Sequence, residues 1–230
     1  MRFLLSSVTA MAIAMGSSGA QAATRDWPAS GFDRVDLRAA ADVANRTGAH
    51  FSVHAEGDSR LLDRLTADVR GGTLTLGWRD HDNDIRTHGQ SLRVTITMPR
   101  LTGAGLSGAG TMTIDRVEAQ NFSADVGGAG TIRIAALQAR HVALAMGGTG
   151  EIVVTGTADQ LDARVSGVGS IDTGGLTARA GRLGMSGTGQ IRARIDGRAD
   201  VTLSGMGHVD VTGHPRCTIH KSGLGSVRCG

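Results

Sequence analysis

The densest group of potential ligands is Asp80-His81-Asp82-Asn83-Asp84, because hard cations such as calcium are held by side-chain oxygens. An EF-hand loop starting at Asp80 needs Gly at its sixth position and Glu at its twelfth, and Ile85 and Ser91 stand there. The run therefore reads as a polar loop between two strands. A hydrolase nucleophile on a strand-to-helix elbow has the form Gly-x-Ser-x-Gly. Around Ser107 the chain reads Gly105-Leu-Ser-Gly-Ala-Gly110, which misplaces the second glycine, and no helical pattern follows. Ser166, Ser186, Ser204 and Ser222 occupy the same position in equivalent segments, so these serines mark corners rather than one nucleophile. Phosphate loops need a helix start behind their glycines, and calcium nonapeptides need an Asp where Ile132 stands after Gly127-Gly-Ala-Gly-Thr. The eight histidines are scattered, with no pair at helical ligand spacing, so zinc is not expected. No catalytic, cofactor-binding or metal site is expected, and no cofactor.

Two cysteines remain, Cys217 and Cys229, and their value depends on compartment. Arg2 supplies a positive start, residues 3–15 are mostly apolar, and Ala20-Gln21-Ala22 fits a small-x-small cleavage site. Residues 1–22 are thus expected to be a signal peptide, cleaved after Ala22. A membrane-spanning helix needs about 20 apolar residues, and Gly16, Ser17 and Ser18 interrupt well before that. No later segment is long and apolar enough to span either, so export to the periplasm, the cell surface or the medium is expected. An oxidising destination permits a Cys217–Cys229 disulfide.

Of the 24 basic residues Arg2 leaves with the signal, so 23 face 21 acidic ones, and Lys221 is the only lysine. Near-neutral charge without a basic stripe argues against nucleic acid as a partner. The absence of tyrosine and the 3% aromatic content remove the stacking platforms that bases would need.

The elements that would position any site follow from a repeat. Leu106-Ser-Gly-Ala-Gly110, Val126-Gly-Gly-Ala-Gly130, Met146-Gly-Gly-Thr-Gly150, Val165-Ser-Gly-Val-Gly169, Met185-Ser-Gly-Thr-Gly189, Leu203-Ser-Gly-Met-Gly207 and Lys221-Ser-Gly-Leu-Gly225 share one template, with starts 20, 20, 19, 20, 18 and 18 residues apart. Strand-like alternation precedes and follows each segment. A unit of this length cannot bury its own apolar face, but stacked units can, pairing at about 4.8 Å. A right-handed parallel β-helix is expected over residues 101–230, with coils of 18–20 residues and glycine corners where the chain needs positive φ. Met112, Ile132, Ile152, Ile171, Ile191, Val209 and Val227 are expected to stack inward. Thr113, Arg133, Val153, Asp172, Arg192, Asp210 and Arg228 are expected to stack outward, the last four alternating in sign.

Residues 23–100 carry a weaker pattern and are expected to form an irregular cap with lead-in strands. Within it Leu61, Leu62, Leu65 and Val69 fall at helical spacing behind Asp58 or Ser59, so a short helix over the open end of the stack is expected. Several motifs here and beyond are similar to one family: Ser30-Gly-Phe-Asp-Arg-Val35, Gly71-Gly-Thr-Leu-Thr-Leu76, the strand running into Pro99, the repeated corners and Val211-Thr-Gly-His-Pro215. In combination, over about residues 27–229, the chain resembles the auto-transporter adhesin head domain known as the GIN domain. The resemblance implies a right-handed β-helix, usually exported, and brings no catalytic residues.

The expected function is that of a non-enzymatic, adhesin-like or envelope-binding module, its partner a surface glycan or protein. Two copies could also pair through the edge of the C-terminal coil. The alternatives are a purely structural envelope protein or an enzyme acting on polysaccharide. Paired carboxylates at a defined separation would mark the enzyme, and in the repeats they alternate with arginines instead. The cysteines lie six residues to either side of Gly223 and face inward from opposite sides of the last corner. Packed sheets stand about 10 Å apart and a disulfide needs Cα atoms within about 7 Å, so the bond requires a narrow last coil. Two buried free thiols are the alternative.

Overall fold

The structure is a computed structural model and describes residues 23–79 and 92–230. The expected signal peptide and the Asp80–Asp84 cluster lie outside the described residues. The described chain opens with β1 (Ala23–Trp27), β2 (Arg34–Leu37), β3 (Ala40–Thr47), β4 (Ser52–Gly57) and α1 (Ser59–Arg64). β5 (Leu65–Arg70), β6 (Thr73–Trp78), β7 (Leu92–Met98), β8 (Gly103–Leu106), β9 (Ala109–Ile114) and β10 (Val117–Val126) follow. The longest strands are β11 (Ala129–Met146), β12 (Thr149–Val165), β13 (Val168–Met185) and β14 (Thr188–Leu203). β15 (Met206–Gly213), β16 (Arg216–Lys221) and β17 (Ser226–Cys229) complete the stack.

Each coil turns through three faces. In β11 these are residues 129–134, 137–139 and 141–146, each paired in parallel with the corresponding stretch of β12 and separated from the next by a break in register or a skipped residue. Parallel pairing runs down the first face through β7, β3, β9, β11, β12, β13, β14, β15 and β17. It runs down the third face through β6, β2, β8, β10, β11, β12, β13, β14 and β16. The result is a β-solenoid of stacked parallel coils.

The inward column has the expected register: Met112, Ile132, Ile152, Ile171, Ile191, Val209 and Val227 are successive Cα partners. All but Val227, which lies in the last rung, are essentially inaccessible. One residue further along, Arg133, Arg192 and Arg228 are exposed, and Val153, Asp172 and Asp210 are half-buried. Arg192 Nη1 meets Asp172 Oδ2 at 3.4 Å, one link of the alternating charge row. Exposed pairs of this kind contribute well under about 1 kcal/mol each.

The corners depart from the expected reason for their glycines. Gly110, Gly150 and Gly189 do have positive φ, but Gly128, Gly148, Gly167, Gly187 and Gly205 do not. At this third template position a Cβ would run into the carbonyl oxygen of the equivalent glycine one rung earlier, Gly128 O in the case of Gly148. That oxygen already accepts the Thr149 N–H at 2.9 Å. Rungs approach too closely there for any side chain. The position before it points into open space at Gly127, which is why both serine and glycine occur at that position along the stack.

In the N-terminal part, chain order and stacking order differ. β2 and β3 form one rung that lies between the rung of β6 and β7 and the rung of β8 and β9. Antiparallel strands then extend both faces at this end: β4 on β7, β1 on β4, and β5 on β6. The helix is shorter than its apolar spacing predicts. Asp58 caps it, accepting from Arg60 N at 2.9 Å, and Leu61 and Leu62 are buried, but it ends at Arg64. Leu65 and Val69 belong to β5 instead. Gly71 and Gly72 both have positive φ, as a tight hairpin turn between β5 and β6 requires, and this strand pairing overrides the helical spacing.

Asn45 in β3 is an inward residue between Ile96 and Ile114, 3% exposed, with neither side-chain polar atom hydrogen-bonded among the described residues. A buried amide without partners costs about 1–3 kcal/mol. Asn45→Leu is therefore expected to stabilise the protein by about that amount, read as a higher midpoint in urea with an unchanged slope. A lower midpoint would mean that the amide makes an essential interaction.

At the other end, Cys217 and Cys229 are joined by a disulfide with Cα atoms 6.6 Å apart. In protein produced under oxidising conditions, unfolding without reductant is expected to expose no alkylatable thiol by mass spectrometry. Replacing both cysteines by serine should lower stability by about 2–3 kcal/mol, the scale for a short closed loop. Two free thiols would show that the last rung is not bridged.

Candidate functional site

A cleft of about 1260 Å³, lined by polar and apolar side chains alike, runs along the outside of the stack where the second and third faces meet. Its repeating lining comes from the same lateral positions of successive rungs. Glu118, Gln138, Thr157 and Thr177 are register partners, as are Asn121 and His141. Alternation places these side chains outward, and Ala119, Ala139 and Ala158 beside them keep the floor low. Arg179 pairs with Asp159 at 3.5 Å on the corner row, whereas Arg140 on that row has no ion-pair partner among the described residues. Four rungs spaced about 4.8 Å apart give a track along the stack rather than a closed pocket.

A second groove, of about 520 Å³, adjoins the cleft and shares Arg34 with it. Its floor is β8, whose two outward positions are both glycine, Gly103 and Gly105. β2 supplies Arg34 and Asp36 on one side, and β10 supplies Ser123 and Asp125 on the other. Arg34 reaches across Gly103 to donate to Ser123 Oγ at 2.9 Å. Arg38 Nε donates to Asp36 Oδ2 at 2.7 Å. Partial burial and the nearby Asp36 carboxylate raise the Asp125 pKa above the ordinary carboxylate range, with Arg34 opposing.

Sequence reasoning missed this grouping. Asp36 and Asp125 are 89 residues apart in the chain, and only the insertion of β2 next to β8 brings them to one strand. The available signal was Gly103-Ala-Gly105, the repeat strand whose two outward positions both lack side chains, where the equivalent positions elsewhere hold Ser123 and Asp125, or Asp162 and Arg164. Of the charge row expected on the first face, Asp172 and Arg192 form an exposed ion pair, whereas Asp210 and Arg228 form none among the described residues. Among the described residues, no group of three or more His, Cys, Asp or Glu side chains is arranged to hold a metal ion. No helix among them is long and apolar enough to cross a membrane.

No curated protein matches the chain. Solved structures share its fold at low identity. A crystal structure of a "putative adhesin" from Bacteroides fragilis aligns with a TM-score of 0.86 at 23% identity, covering 91% of this chain and 97% of that one. A "putative lipid binding protein" from Parabacteroides distasonis aligns at 0.63 and 18%, covering 90% and 96%. A "putative adhesin" from Parabacteroides merdae aligns at 0.62 and 14%, covering 90% and 95%. A family model described as "Putative auto-transporter adhesin, head GIN domain" matches residues 31–215. With a match over that much of its length, and the same solenoid in the structure, the chain belongs to this family of GIN-domain adhesin heads.

Proposed function

We propose that this protein is an exported, non-enzymatic binding module that lays a cell-envelope or surface polymer, glycan or protein, along the cleft between its second and third faces. The observation that carries this reading is the cleft itself, which crosses rungs at a constant lateral position and so offers one outward polar side chain per rung, Glu118, Gln138, Thr157 and Thr177, at a regular spacing. A regular polymer matches a regular track. The family's adhesin-head description and the adhesin titles of similar folds support it. The lipid-binding title of one neighbour is a weaker guide, because the outward Gln, Asn, Thr, Arg and acidic side chains along the cleft suit hydroxyl, amide or charged groups, although alanines, Phe122 and Val142 share the lining.

Export through a signal peptide ending at Ala22 is part of the reading. So is pairing of two copies at the last rung, where among the described residues β16 pairs with β14 alone and β17 with β15 alone. Retention on isolated bacterial envelopes tests the cleft. Ala143→Trp would place a large ring at an exposed small position on the cleft wall. Retention should drop at least about tenfold, a loss of about 1.4 kcal/mol, with thermal melting unchanged. Wild-type retention of that variant would remove the cleft as the binding surface.

A further inference from the structure

The two glycines of β8 differ from the corner glycines in what they leave room for. At the corners a Cβ would strike backbone of the preceding rung; at Gly103 and Gly105 it would meet side chains reaching over from both flanking strands. A Cβ at Gly103 would lie 2.7–2.9 Å from atoms of the Arg34 guanidinium. One at Gly105 would lie 3.0 Å from Asp36 Oδ1 and 3.4 Å from Asp125 Oδ2. Neither glycine has positive φ, so the backbone does not demand them. Their role is to provide a bare floor on which charged groups from two rungs converge.

The converging groups are also held in a definite arrangement. Arg38 takes Asp36 Oδ2, which leaves Asp36 Oδ1 over Gly105. Asp125 has no hydrogen bond or ion pair among the described residues, and its Oδ2 faces the same spot. Arg34 spends one donor on Ser123 and has others left. The groove thus offers two acceptors side by side and a donor fork beside them. Two guanidinium groups balance two carboxylates, so the local charge is near zero and does not favour a cation. Adjacent hydroxyls on a sugar ring both donate and accept, and they carry no charge.

We propose that the groove over Gly103 and Gly105 is a sugar subsite at one end of the long cleft, in which Asp36 and Asp125 accept from two neighbouring hydroxyls of a neutral glycan unit while Arg34 donates to a third oxygen. The proposal rests on the reading of the cleft as a polymer track and specifies its ligand as a glycan with a neutral residue at this position. A protein polymer would not use this groove.

The test is an array of neutral, amino and uronic-acid oligosaccharides probed with the wild type, Gly105→Val, Asp125→Asn and Gly184→Val, beside retention of the same proteins on isolated envelopes. Gly184 is an outward glycine on the same row of β13, with only Arg164 Cγ near a Cβ at 3.6 Å, and serves as the control. The wild type and Gly184→Val should bind neutral oligosaccharides. Gly105→Val and Asp125→Asn should bind at least about tenfold more weakly with unchanged melting. Should Gly105→Val prove unfolded, Asp125→Asn alone decides. Wild-type sugar binding by Asp125→Asn would overturn the subsite and leave the cleft reading intact. Envelope retention without binding to any neutral oligosaccharide would also overturn it. Absence of both retention and sugar binding would overturn the subsite and the cleft reading together.

Discussion

Replacing Ile171 with Asp should lower stability by at least about 4 kcal/mol, because it removes a buried aliphatic side chain and places a carboxylate where nothing can pair with it. Ile171 is fully buried and lies between Ile152 and Ile191 in the inward column. Each rung packs chiefly on its two neighbours, so the lesion interrupts the column instead of being diluted over a compact core. At roughly 2–4 °C per kcal/mol for a chain of this size, a fall in melting temperature near 10 °C is expected. Asp172→Ala, one position along and facing outward, loses the Arg192 pair and the hydrogen bond from Gly174 N. Its cost should stay under about 1 kcal/mol. Equal melting of Ile171→Asp and wild type would contradict the register.

The second large effect should come from a single methyl group. Gly148→Ala puts its Cβ onto Gly128 O, with Gly127 backbone also close, and none of these atoms can rotate away. The rungs must separate at that corner, and Thr149 N–H then loses its acceptor, Gly128 O. A cost of about 3 kcal/mol is expected, at the upper end for overpacking a well-fitted interior. Gly127→Ala, in the preceding rung and next to Gly128, meets nothing within 4 Å and has no positive φ, so it should change stability by less than about 0.5 kcal/mol. Denaturant titration of the two variants separates the explanations. If both substitutions proved equally mild, close rung approach could not be the reason for the template.

The contrast between these glycines shows where sequence reading reaches its limit. The template revealed that corners recur and that rungs stack, since seven copies at near-constant spacing leave few other folds. It could not reveal that the second glycine serves the neighbouring rung's carbonyl instead of its own φ. That constraint exists only once two corners lie in register. The helix shows a similar limit: Leu61, Leu62, Leu65 and Val69 satisfy helical spacing, yet the Gly71-Gly72 turn closes a hairpin and takes Leu65 and Val69 into β5.

By itself the sequence determined the class of fold, the length of the coil, and which side chains point in or out, because period-two alternation and repeat spacing are local properties that survive without knowledge of partners. The first-face column from Met112 to Val209 follows directly from that periodicity. Only the tertiary structure decided which rungs become neighbours near the N-terminus. β2 and β3 precede β6 and β7 in the chain but stack between them and β8 and β9, and no repeat signal spans that exchange. The candidate sugar subsite depends on it entirely. Asp36 and Asp125 meet over Gly105 because hydrogen-bonded backbones place β2 and β10 on either side of β8, and proximity created by strand pairing has no counterpart in the spacing of residues along the chain.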